Sequence, residues 1–112
     1  MNNEFSFFYL ALGPEEIDQL TGSADRIAHK DVGEFLDGAV GIILTDLKGE
    51  GISAEVGDEI DWLDRPDDYV LRKIVVQRKD FQKAVDRAAE RVKRLPPVDK
   101  SLRGKTVRIL VP

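Results

Sequence analysis

The chain has 112 residues, no cysteine, 42% hydrophobic and 34% charged residues, and a formal net charge of −4. That length suits one domain, here 1–112, and a chain of this size buries somewhat over ~60% of its unfolded surface without staples. The missing cysteine excludes disulfides, thiolate catalysis and Cys-based zinc sites, and mildly favours a reducing compartment.

The charge is unevenly spread. Residues 1–45 carry eight acids and two bases, residues 46–68 nine and two, and residues 69–112 four and thirteen. Folding the basic third against the rest would neutralise most of this. Alternatively, each sign marks a surface for a partner.

Taken in order, Met1 to Glu4 has no positive leader, and the apolar run from Phe5 to Leu12 is short. Neither a signal peptide nor a membrane span is expected, and the cytoplasm is the default location. Phe5 to Leu12 is apolar on both parities, the pattern of a central strand buried on both faces. Gly13-Pro14-Glu15-Glu16 ends it and starts a helix, with proline at the first position and acids in the first turn. The helical region spans 14–37, in one piece or in two with a break at Thr21-Gly22, with Ser23 as a second N-cap and Gly38 as its stop.

Ala39 to Thr45 reads as a second strand. Lys48-Gly49-Glu50-Gly51 reads as a turn, and Ile52, Ala54 and Val56 alternate with Ser53 and Glu55, so 40–47 and 51–56 form an expected hairpin. Ile60 to Asp64 fits a short edge strand or a helical turn equally, and Arg65-Pro66-Asp67-Asp68 is a turn. Tyr69 to Gln77 is a strong strand. Asp80 then caps the clearest helix, whose stripe is Phe81, Ala84, Val85, Ala88, Val92 and Leu95, ended by Pro96-Pro97. Val107, Ile109 and Val111 mark a last strand at 105–111.

The expected fold is α+β. A single, mainly antiparallel sheet of four to five strands carries two helical elements on one face. Its order is the ferredoxin-like βαββαβ with an extra hairpin arm. Element order alone carries no functional residue.

Chemistry is sparse. His29 is the one histidine, flanked by Lys30 and Asp31, and nothing in its spacing to Ser6, Ser23, Ser53 or Ser101 builds a triad. Glu15-Glu16, Asp58-Glu59-Asp61 and Asp67-Asp68 pair carboxylates in charged turns, where solvated acids are a poor acid–base pair. Asp58 to Asp64 lacks the alternation of a calcium loop, and Gly49-Glu50-Gly51 is too short to cradle phosphate. No catalytic residue, metal or cofactor is expected. Lys83, Arg87, Arg91 and Arg94 line one flank of the last helix, but Asp86 and Glu90 share that helix, so intrahelical pairing is the plainer reading and nucleic acid a minor one.

The remaining signal is Trp62, the single tryptophan, in an acidic field. A rigid aromatic anchor among carboxylates would steer a basic protein partner. It could equally plug the core edge with Ile60 and Leu63. The expected partner-binding residues are Glu55, Asp58, Glu59, Asp61, Trp62, Asp64, Asp67 and Asp68. In charge and size, though not in any motif, the chain resembles small acidic immunity proteins and nuclease inhibitors. The sequence therefore points to a non-enzymatic inhibitor that neutralises a toxin or nuclease with a basic active site, as a monomer or homodimer without a membrane role. The alternative is a dimeric regulatory or small-ligand-binding domain with an apolar pocket near Gly13 or Gly38.

Overall fold

The structure is a computed structural model and describes residues 4–22, 31–57, 68–94 and 107–111. Its elements run β1 (Phe5–Leu12), α1 (Pro14–Gly22), α2 (Val32–Gly49), β2 (Ala54–Val56), β3 (Val70–Gln77), α3 (Phe81–Val92) and β4 (Arg108–Leu110). The fold is α+β, with one open four-stranded sheet in the order β2-β3-β1-β4. Every neighbouring pair is antiparallel.

β1 is the centre of the sheet, as its two-sided apolar pattern implies. Its eight residues pair in register with β3, from Phe5 opposite Gln77 to Leu12 opposite Val70. Phe8, Leu10 and Leu12 join Ile74 and Val76 in the main core, beneath Leu36, Ile43 and Leu47 of α2 and Ala84, Ala88 and Val92 of α3. Tyr9, Ala11 and Leu71 form a smaller buried cluster on the opposite face, with Phe7, Tyr69 and Leu110 packed against it. Alternation of successive residues between the two faces produces this split. Full burial of each large aliphatic side chain contributes roughly 2 kcal/mol.

The expected strand at 39–45 is instead the middle of α2, and the expected hairpin of 40–47 with 51–56 does not exist. Val32, Leu36, Ala39, Val40, Ile43 and Leu47 are the buried residues of an eighteen-residue helix. Their spacing of three and four is helical, but the apolar run between Ala39 and Leu44 is short enough to suit either periodicity. Packing on the sheet decided it. Gly38 does not stop the helix. It lies within α2 on the exposed side, where an added Cβ would touch nothing.

The break at Gly49-Glu50-Gly51 is real but is of another kind. Gly51 N–H donates to the Lys48 carbonyl at 3.0 Å and Ile52 N–H to the Leu47 carbonyl at 2.9 Å. Gly51 has φ +77. This is a Schellman helix end with glycine in the left-handed position and Ile52 packed near Leu47.

Four strands are therefore present among the described residues, and three helices rather than two. β2 covers only the last three residues of the expected 51–56 strand and pairs with β3, Glu55 opposite Val75. Asp80 stands at the N-cap of α3 but makes no side-chain capping bond. A 3-10 turn over Arg78–Asp80 leads into the helix instead. Ser23, Leu95 and the stretch Ile60 to Asp64 lie outside the described residues.

Candidate functional site

The acidic stretch divides at α2. Asp46 and Glu50 belong to the end of that helix and face α3. Arg87 Nη1 lies 3.4 Å from Glu50 Oε1, and Arg91 Nε 3.4 Å from Asp46 Oδ2, with Arg87 Nη2 at 3.9 Å from the same oxygen. Arg87 and Arg91, the middle two residues of the basic stripe on α3, are thus engaged across the helix seam by the end of α2. The reading that Asp86 and Glu90 satisfy it within the helix misses these partners. Asp86 accepts a hydrogen bond from the Gln82 amide at 3.0 Å. With 40–47 taken as a strand, no acid could have been placed beside Arg87 and Arg91.

The rest of the stretch joins β2 to β3, thirteen residues from Gly57 to Tyr69. Both ends of this connection are tied. At the first, Gly57 N–H donates to the Lys73 carbonyl at 3.0 Å. A Cβ on Gly57 would sit 2.7 Å from Lys73 Cδ, so the lysine stem occupies that space. The Lys73 ammonium lies 4.3 Å from the centroid of the Phe7 ring, a cation–π contact on the face away from the helices.

At the other end Tyr69 enters a polar cluster. Arg108 Nη1 donates to the Tyr69 hydroxyl at 3.0 Å, and Arg108 Nη2 to Glu16 Oε2 at 2.7 Å. The Gly13 N–H donates to Glu16 Oε1 at 2.8 Å. Glu16 is 5% exposed, and both carboxylate oxygens are bonded. Its hydrogen bond holds the Arg108 guanidinium above the usual arginine range, against the opposing effect of desolvation. Four elements meet here: the end of β1, the first turn of α1, the approach to β3 and the start of β4.

Of the expected partner-binding residues, Glu55 and Asp68 are described, and both are exposed. Glu55 projects from β2 on the face opposite the helices, opposite Val75. Asp68 immediately precedes Tyr69. Asp58, Glu59, Asp61, Trp62, Asp64 and Asp67 lie outside the described residues, as does His29. Topology assigns those six residues to the tied β2–β3 connection.

The Glu16 cluster was missed in the sequence. A signal for half of it exists: Glu16 is the third residue of α1, the position from which a glutamate reaches back to the N–H preceding the helix. Its arginine partner is 92 positions away, beyond local pattern. Beside Gly13 the space for a side chain is filled, since an added Cβ would stand 2.9 Å from Glu16 Oε1 and 3.0 Å from Tyr69 Cζ. Near Gly38 there is an open cleft of about 450 Å3, lined by Gly38, Gly41, Ile42, Thr45, Asp46 and Arg91. Among the described residues, no group of three His, Cys, Asp or Glu side chains could hold a metal ion, and no helix is long and apolar enough to cross a membrane.

Comparison of the chain with protein-family models, with curated proteins and with solved structures returned no match.

Proposed function

We propose that the chain is a non-enzymatic protein-binding module whose acidic β2–β3 connection engages a partner with a basic surface. The observation that carries this reading is the fate of the arginines. Arg72 pairs with Asp37, Arg87 with Asp46 and Glu50, Arg91 with Asp46, and Arg108 with Glu16. All four bases are held by acids of α1 and α2, outside the run from Glu55 to Asp68. Of that run, which has Trp62 at its middle, the described acids Glu55 and Asp68 enter none of these pairs, and the connection that carries it is anchored at Gly57 and at Tyr69. Carboxylates grouped around an aromatic anchor would raise the association rate with a cationic surface, such as the active site of a nuclease or toxin, and place the anchor for docking. A cytoplasmic immunity or inhibitor role is the form of this reading that accords with the sequence. The ferredoxin-like assignment belongs to the same proposal, and is supported by the central antiparallel pair β1–β3 flanked by β4 and β2.

The test is association with a panel of basic ribonucleases, measured for the wild type and for Trp62→Ala combined with Asp61→Lys. The variant should bind at least about tenfold more weakly. Binding that the double substitution leaves intact moves the site elsewhere.

A second reading, a dimeric regulatory or small-ligand domain, is favoured by the cleft at Gly38. A strictly monomeric chain in light scattering counts against it.

A further inference from the structure

β2 ends the sheet, and its hydrogen-bonding parity follows from one bond. Gly57 N–H donates to the Lys73 carbonyl. In an antiparallel ladder the groups of residues 57 and 55 then point toward β3, and those of Ala54 and Val56 point away from it. The bond from Arg78 N–H to the Glu4 carbonyl fixes the complementary parity, with Ile74 and Val76 turned to β1. Ala54 and Val56 therefore offer a row of main-chain donors and acceptors at the outer edge of β2, which has no neighbour there among the described residues. Val56 is 47% exposed, and it is an apolar residue on an edge strand where charge or proline commonly discourages pairing. Beside this edge lies an open cleft of about 480 Å3 between the last turns of α2 and the approach to β2, lined by Leu44, Lys48, Ile52 and Ala54 among others.

We propose that the outer edge of β2 takes up an extended segment of the partner protein as a fifth, antiparallel strand, with the residue pattern apolar–basic–apolar. This rests on the protein-binding reading above and names a recognition element for it. The pattern comes from the two faces of the strand. Val56 and Ala54 share the helix-side face with Ile74 and Val76, so the added residues on that side meet the cleft and its apolar lining. Glu55 is exposed on the other face, where the residue opposite it is stabilised by positive charge. Lys48 at the cleft disfavours a base on the helix side, so charge is read on one face only. Main-chain bonds at Ala54 and Val56 supply affinity, and the alternating side chains supply selectivity. The edge leads directly into the acidic connection through Gly57, so one basic partner can engage both.

The experiment uses the full chain, isotope-labelled, titrated with a synthetic peptide of Val-Lys-Val core and with its Val-Glu-Val counterpart. The lysine peptide should shift the amides of Ala54, Glu55 and Val56 and slow hydrogen exchange at Ala54 and Val56. Val56→Pro removes only an outward donor, which edge strands tolerate, and should weaken binding about fivefold or more, whereas Val56→Ala keeps the donor and retains binding. Glu55→Lys should reverse the preference between the two peptides. Shifts confined to other residues, undiminished binding by Val56→Pro, or no binding by the lysine peptide would overturn the proposal. So would a self-associated dimer that Val56→Pro dissociates, which would give the edge to a second copy. Loss of edge pairing with retained sensitivity to Trp62→Ala and Asp61→Lys overturns the edge alone. Absence of any association with basic proteins overturns the reading it rests on.

Discussion

Arg108 donates to Glu16 across 92 positions of sequence, at 2.7 Å, and so fastens the three-residue edge strand β4 to the first turn of α1. The same carboxylate accepts the Gly13 N–H, so one side chain closes the end of β1 and anchors the arginine that also holds Tyr69.

Glu16→Ala leaves the Gly13 N–H without its acceptor and Arg108 without its countercharge. The expected loss is about 2 kcal/mol in urea denaturation. Arg108→Leu should cost less, because its side chain is 41% exposed and solvent screens that end of the pair.

Arg108 is held above its unfolded value, so its contribution is complete below that value and is lost only as pH rises through the folded one. For an arginine this lies in strong alkali. The Glu16→Ala and wild-type stability curves should therefore stay parallel between neutral and moderately alkaline pH.

Gly13→Ala should destabilise by about 1–3 kcal/mol, because its Cβ would press on Glu16 Oε1 and the Tyr69 ring. Thermal unfolding followed by circular dichroism measures this, and an unchanged midpoint would show that the cluster is looser than its distances imply.

The helix through residues 39–47 makes opposed predictions for its glycines. Gly38→Ala and Gly41→Ala should each stabilise by about 0.5–1 kcal/mol, since the added Cβ meets nothing and glycine is a poor helix former. Gly51→Ala should destabilise by roughly 1–2 kcal/mol, because its φ of +77 is strained for any residue with a Cβ. Ile43→Ala should cost about 2–5 kcal/mol and Ile42→Ala clearly less, as only Ile43 is fully buried. A hairpin at 40–56 would not produce this set of signs.

At the helix seam, a double-mutant cycle of Asp46→Ala with Arg91→Ala should give a coupling of about 0.5–1 kcal/mol that shrinks with added salt. Asp86→Ala should cost Arg91 nothing, because the acid that Arg91 uses is on α2.

The sequence by itself determined the elements whose local pattern has one solution. Phe5 to Leu12, aromatic-rich and apolar on both parities, matched the pattern of a central strand. Pro14 could only open a helix, and the stripe from Phe81 to Val92 has helical spacing and no other. It also marked the break at Gly51, since a left-handed glycine ends a helix and turns a hairpin alike. Only the tertiary structure decided between those two uses. The short apolar run from Ala39 to Leu44 satisfies both periodicities, and burial of Leu36, Ile43 and Leu47 against β1 and β3 selected the helix. That choice placed Asp46 and Glu50 beside Arg87 and Arg91, and so separated the acids that neutralise α3 from those that run on toward Asp68. The Glu16–Arg108 pair was equally out of reach, because a contact across 92 residues leaves no periodicity in the chain.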